Sequence, residues 1–92
     1  DQIEFKDIRV GDIVWVTGAS DTRYLIKVKE FYGYTESETV PVYSAIVGVV
    51  MCEPDNPPSP YTPSYTGVRL IFDKDTSSFK RAGSEEILAV LL

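Results

Sequence analysis

The stretches of this chain that can form regular structure are short, rich in β-branched and aromatic residues, and fenced by turn residues. Ile13-Val14-Trp15-Val16-Thr17 lies between Gly11-Asp12 and Gly18, a spacing that reads as a strand. Tyr24 to Phe31 alternates at its centre: Ile26 and Val28 fall on one face, Lys27 and Lys29 on the other. That is the pattern of a half-buried strand. Val42 to Cys52 is again strand-like and contains Gly48, a residue that inside a strand marks a bulge or sharp bend. Gly67 to Phe72 forms the next strand, and Phe79 to Ala82 a short extended piece. Ser84-Glu85-Glu86 reads as a capped helical turn with acids at its positive end, followed by Ile87 to Leu92 as a closing strand.

Between these runs lie polar turns at Gly18–Thr22 and Asp73–Ser78 and a loop from Tyr32 to Pro41. The segment Glu53–Thr66 holds five of the six prolines. Proline cannot donate to a sheet ladder, so this segment is a long Pro/Tyr-rich loop and not a central strand. Five strands in 92 residues, with almost no helix, cannot bury much as an open sheet. Curling into a barrel is the way a sheet this small limits its exposed edges. The expectation is an all-β fold, one domain over residues 1–92, built as a five-stranded barrel with a short helical turn before the last strand.

The runs Gly11-Asp12-Ile13-Val14-Trp15-Val16, Ile46-Val47-Gly48-Val49-Val50, Val68-Arg69-Leu70-Ile71-Phe72 and Ser84-Glu85-Glu86-Ile87 carry a resemblance at the level of fold. In that order they look like the SH3-like small barrel, the plan shared by Tudor and KOW modules and by the PsaE subunit of photosystem I. The resemblance covers about residues 8–92 and implies a binding module. The Pro-rich segment departs from a minimal Tudor or KOW domain.

Composition removes several chemistries. The chain has no histidine and one cysteine, so it cannot by itself assemble a Cys/His zinc site, a Ser-His-Asp triad or an internal disulfide. Its six glycines are scattered singly, without a phosphate-cradling loop. No catalytic residue, cofactor or metal ligand is expected. Nine basic residues against 14 acidic ones give a net charge of −5, spread evenly, which disfavours nucleic-acid binding. No run approaches the roughly 20 apolar residues of a membrane span, and no signal-like segment opens the chain. A cytoplasmic chain without membrane contact is expected. Its start at Asp1 reads as a chain that was processed, trimmed or taken from a longer one.

What remains points to recognition of a protein partner or membership of a larger assembly. If Val14 and Val16 point inward, Trp15 stands on the outer face as an anchor, unless the Pro-rich loop or the N-terminal segment covers it. The segment from Pro57 to Tyr65 contains Pro58, Pro60, Tyr61 and Tyr65 and can present rings from a stiff polyproline backbone. Tyr32 and Tyr34 join them as candidate contacts. With Tyr24, Tyr43, Phe31 and Trp15 these tyrosines could also line a cage for a cation, completed by Asp21 or Glu30. Such rings also serve as ordinary cross-strand pairs. Asp73-Lys74-Asp75 echoes a calcium loop but lacks its glycine and its closing glutamate in register, and reads as a solvated turn. Arg23, Lys27 and Lys29 form a small charged face, and Cys52 reads as an inert apolar residue. The leading expectation is a non-enzymatic protein-binding or assembly module. The alternatives are a small acidic viral or phage factor that blocks a nucleic-acid-binding host protein, a KOW-like RNA- or ribosome-associated module, and a virion structural subunit.

Overall fold

The computed structural model describes residues 2–36, 41–55, 59–61 and 64–91. Among the described residues eight strands and one α-helix follow one another: β1 (Gln2–Ile3), β2 (Ile13–Thr17), β3 (Arg23–Tyr32), β4 (Thr35–Glu36), β5 (Pro41–Val42), β6 (Ala45–Cys52), β7 (Arg69–Asp73), β8 (Ser78–Arg81) and α1 (Ser84–Leu91). Six of the strands form one antiparallel sheet in the order β1-β8-β2-β3-β6-β7, and β4 and β5 make a separate ribbon. The all-β expectation holds. The closed five-stranded barrel does not, because this sheet is open and ends at β1 and β7.

The end of the chain also differs from expectation. Ile87 and the residues after it continue a helix where a closing strand was expected. A short apolar run cannot by itself distinguish strand from helix, and here the helix start decides. The Ile87 N–H donates to the Gly83 carbonyl at 3.0 Å, and the Gly83 N–H donates back to Glu86 Oε1 at 3.0 Å. Glu86 therefore closes the first turn in the manner of a capping box. Leu88 and Ala89 then favour helix over strand.

Alternation along the strands builds the core. Val14 and Val16 of β2, Ile26 and Val28 of β3, Ile46 and Val50 of β6, Phe72 of β7 and Phe79 of β8 are all buried in one cluster. Ile8 joins them from the N-terminal segment, where a 3₁₀ turn at Phe5–Asp7 directs Phe5 and Ile8 onto the sheet. The Gly11-Asp12 turn is locked to β3, with the Gly11 N–H on the Val28 carbonyl at 2.8 Å and the Val28 N–H on the Asp12 carbonyl at 2.9 Å.

Two irregularities bend the β3–β6 pair. Its register shifts between Leu25 and Ile26 and again between Val28 and Glu30, where Gly48 and Val47 stand opposite. The unpaired residues are Met51 of β6 and Lys29 of β3, so the irregularity nearest Gly48 lies on the facing strand and not, as expected, at Gly48 itself. A Cβ there would lie 2.4 Å from Ile26 Cδ1 and 2.9 Å from Ile26 Cβ, so only glycine lets the two strands close over the core.

Candidate binding surface

An aromatic run crosses one end of the sheet. Phe79 of β8 lies 6.1 Å from Phe5, measured between ring centroids, and Phe5 lies 5.7 Å from Phe31 at the end of β3. Phe31 is 5.5 Å from Tyr43, which is 5.4 Å from Tyr34. The run starts in the core and surfaces at Tyr43 and Tyr34, both exposed. Edge-to-face and tilted contacts of this kind stabilise beyond the area they bury.

The turn after β3 makes this possible. Gly33 has φ +72°, and a Cβ on it would lie 2.0 Å from Ser44 Oγ. The Ser44 hydroxyl donates to the Gly33 carbonyl at 3.2 Å and its N–H to the Tyr32 carbonyl at 3.1 Å. That close crossing sets Tyr34 beside Tyr43.

Beside the run is an open groove of about 670 Å³. Phe5, Ile8, Phe31, Val42 and Tyr43 supply its apolar lining, and Glu4, Lys6, Arg9, Lys74 and Asp75 its polar one. Glu4 and Lys6 pair at 3.4 Å. Among the described residues neither Arg9 nor Lys74 makes an ion pair, and Arg9 Nη1 donates instead to the carbonyls of Lys6 and Ile8. With Lys6, Arg9 and Lys74 against Glu4 and Asp75, the lining of the groove carries one positive charge in excess, on a chain of net charge −5.

Trp15 belongs to a different place. It is half-buried, its indole N–H donates to Glu86 Oε2 of α1, and the Arg23 guanidinium sits 5.3 Å above its ring. Arg23 is in turn held by Asp55, Nε to Oδ2 at 2.7 Å and Nη2 to Oδ1 at 3.2 Å. The cover on Trp15 is thus an arginine clamped by the start of the Pro-rich segment, together with the helix. Bonds from the Gly83 and Trp15 N–H groups hold the Glu86 carboxyl below its ordinary pKa, and the Arg23 hydrogen bond does the same for Asp55.

The remaining predicted contacts are dispersed. Tyr32 is exposed, and Tyr61 is 94% exposed, with its N–H on Ser59 Oγ at 3.2 Å. Pro60 is exposed, and Pro58 lies outside the described residues. Tyr65 folds back: its ring meets Tyr24 edge-on at 6.3 Å, and its N–H donates to Glu53 Oε2 at 2.6 Å. Ser64 Oγ donates to the same oxygen at 3.0 Å, while Glu53 Oε1 is buried without a hydrogen-bond partner among the described residues. Burial, with the charge of Glu53 second, raises the pKa of the Tyr24 hydroxyl. Of the expected aromatic cage, the structure brings Phe31, Tyr34 and Tyr43 together and sends Trp15 and Tyr24 elsewhere. Asp73 Oδ1 accepts the Asp75 N–H at 2.7 Å, the arrangement of a simple polar turn. Phe5, Arg9, Val42 and Lys74 were not foreseen as site residues. The apolar spacing of Ile3, Phe5 and Ile8 was the one available signal for Phe5.

No family model matches this chain, and no curated protein or solved structure is similar enough to it to be reported as a relative.

Proposed function

We propose that this chain is a non-enzymatic protein-binding module on an SH3-like plan, and that the aromatic groove is where its partner seats. The observation that carries the reading is the ring run from Phe79 through Phe5 and Phe31 to the exposed Tyr43 and Tyr34, beside a groove bearing Arg9 and Lys74. Rigid aromatic anchors next to a charged rim are the usual anatomy of a recognition surface. The meander β2-β3-β6-β7, with β8 returning to the free side of β2, supports the SH3-like plan. The partner is a protein segment offering an apolar side chain to the rings and carboxylates to Arg9 and Lys74.

A random peptide library displayed on phage and selected on the immobilised chain tests this reading. The expected result is enrichment of apolar peptides with flanking Asp or Glu, lost with Tyr34→Ala/Tyr43→Ala and retained with Trp15→Phe/Tyr61→Ala. Enrichment unaffected by the Tyr34/Tyr43 variant, in a protein with unchanged circular dichroism, would place the site elsewhere.

A further inference from the structure

Strand β7 ends the six-stranded sheet, and among the described residues no strand pairs with its outer side. Its outward-facing residues are Arg69, Ile71 and Asp73, all exposed, while Leu70 and Phe72 turn towards the core. Ile71 is 57% exposed, a large apolar side chain midway between opposite charges.

The hydrogen-bond phase of this edge can be read from its two ends. The Val50 N–H donates to the Val68 carbonyl at 3.0 Å, and the Lys74 N–H to the Ser44 carbonyl at 2.9 Å. In an antiparallel ladder, residues alternate between bonding the neighbour on one side and facing the other. Even-numbered residues of β7 thus turn their backbone groups to β6, and Arg69, Ile71 and Asp73 present N–H and C=O to the open edge.

We infer that β7 is a self-association edge, and that a second copy of this chain adds its own β7 antiparallel across a two-fold axis at Ile71. In that register Ile71 meets Ile71 of the other copy, and each Arg69 meets the other copy's Asp73. The three outward residues of each strand bond one another, giving about six backbone hydrogen bonds. The same register covers both exposed isoleucines and sets opposite charges directly opposite one another, twice. A slip of two residues in either direction keeps only two of the three bonded residue pairs within the strands, about four of the six hydrogen bonds, sets a charge against Ile71 and separates Arg69 from Asp73. The edge is therefore self-complementary in one register, as an isologous contact requires. Charged residues on an edge strand commonly block pairing, but these two are placed to select a partner of the same sequence. The other end of the sheet is β1, only two residues long, so the dimer closes there without propagating.

Sedimentation velocity of the whole chain over a wide concentration range tests the inference. The expected result is a reversible shift from 10.3 kDa towards twice that mass. Arg69→Asp sets four carboxylates at the two charged positions, and Ile71→Lys sets two ammonium groups against each other on the axis. Either weakens association by about tenfold or more. The exchanged pair Arg69→Asp/Asp73→Arg restores it, and Tyr43→Ala, in the groove, leaves it unchanged. A wild-type chain at 10.3 kDa up to about 1 mM would overturn the inference. So would an unchanged mass in both Arg69→Asp and Ile71→Lys. A folded exchange variant that stays monomeric would overturn the register.

Discussion

Gly48, like Gly33, is a position where the fold leaves no room for a Cβ. It sits opposite Val28, one step from the register shift that bends β3 across β6. A methyl group there meets both Cδ1 and Cβ of Ile26, one at the end of the side chain and one next to the backbone. Ile26 is fully buried, so it has no free volume to retreat into. Gly48→Ala is expected to destabilise the chain by about 1–3 kcal/mol, the usual cost of overpacking a core, measured by urea denaturation. Adding Ile26→Val removes Cδ1 but not Cβ, so it should recover only part of that loss. Full recovery would mean that the strand pair can shift to admit the methyl.

Glu86 shows how one side chain can tie an element down. It caps the first turn of α1 through Gly83 and accepts the indole N–H of Trp15, so the carboxylate connects the helix to β2. Its pKa is lowered, chiefly by the Gly83 N–H and then by Trp15. A depressed carboxyl favours the folded arrangement above the group's unfolded pKa, and the benefit is lost as pH falls through the lower, folded value. Trp15 is the only tryptophan, so its fluorescence reports this contact. Emission should stay constant from neutral pH down through the ordinary glutamate range and shift to the red only below it. Glu86→Gln should remove that acid transition, while Asp55→Asn should leave the Glu86 contact titrating.

Glu53 plays the corresponding part for the Pro-rich segment, accepting from Ser64 and Tyr65 through one oxygen at the end of β6. Glu53→Ala strands those donors and is expected to cost about 1–3 kcal/mol in urea. It should also lower the pKa of Tyr24, read by alkaline absorbance titration, because one of the influences raising that pKa is the charge of Glu53. Since that pKa is raised in the fold, wild-type stability should decline as pH climbs above the ordinary tyrosine range, and less so in the variant.

The elements that were legible in the sequence are those with a local cause. The strand at Ile13–Thr17 and the alternation around Ile26 and Val28 follow from side-chain patterning and turn residues, whereas the irregularity beside Gly48 falls on Lys29 of the facing strand, which no local pattern marks. The helix Ser84–Leu91 was half legible: its acidic start was visible, but Glu86 reaching Trp15 is a contact across 71 positions that no local pattern encodes. The groove was hidden for the same reason. Tyr34 and Tyr43 stood out as aromatic, but Phe5 joins their run, through Phe31, only because the N-terminal 3₁₀ turn folds over the end of β3. The free edge at β7 was invisible while the sheet was expected to close, since a closed barrel has no ends.

For the molecule as a whole, the net charge of −5 and the charge around the groove point in opposite directions. On the proposed reading an acidic peptide is repelled by most of this surface and drawn to Arg9 and Lys74, so the field is expected to favour its approach to the groove. Charges at a rim act mainly on association, and buried rings mainly on dissociation. The two kinds of group should therefore separate in a kinetic measurement with a library-selected acidic peptide. Lys74→Glu is expected to slow association and flatten its dependence on salt, with dissociation nearly unchanged. Tyr43→Ala is expected to leave association close to wild type and to speed dissociation, for a loss of about 2 kcal/mol, roughly thirtyfold in affinity. Surface plasmon resonance at several salt concentrations reads both. If Lys74→Glu instead acts through dissociation, the lysine is buried against the peptide and belongs to the anchor. If neither variant changes binding, the peptide seats outside the groove, and the aromatic run serves only to pack the N-terminal turn onto the sheet.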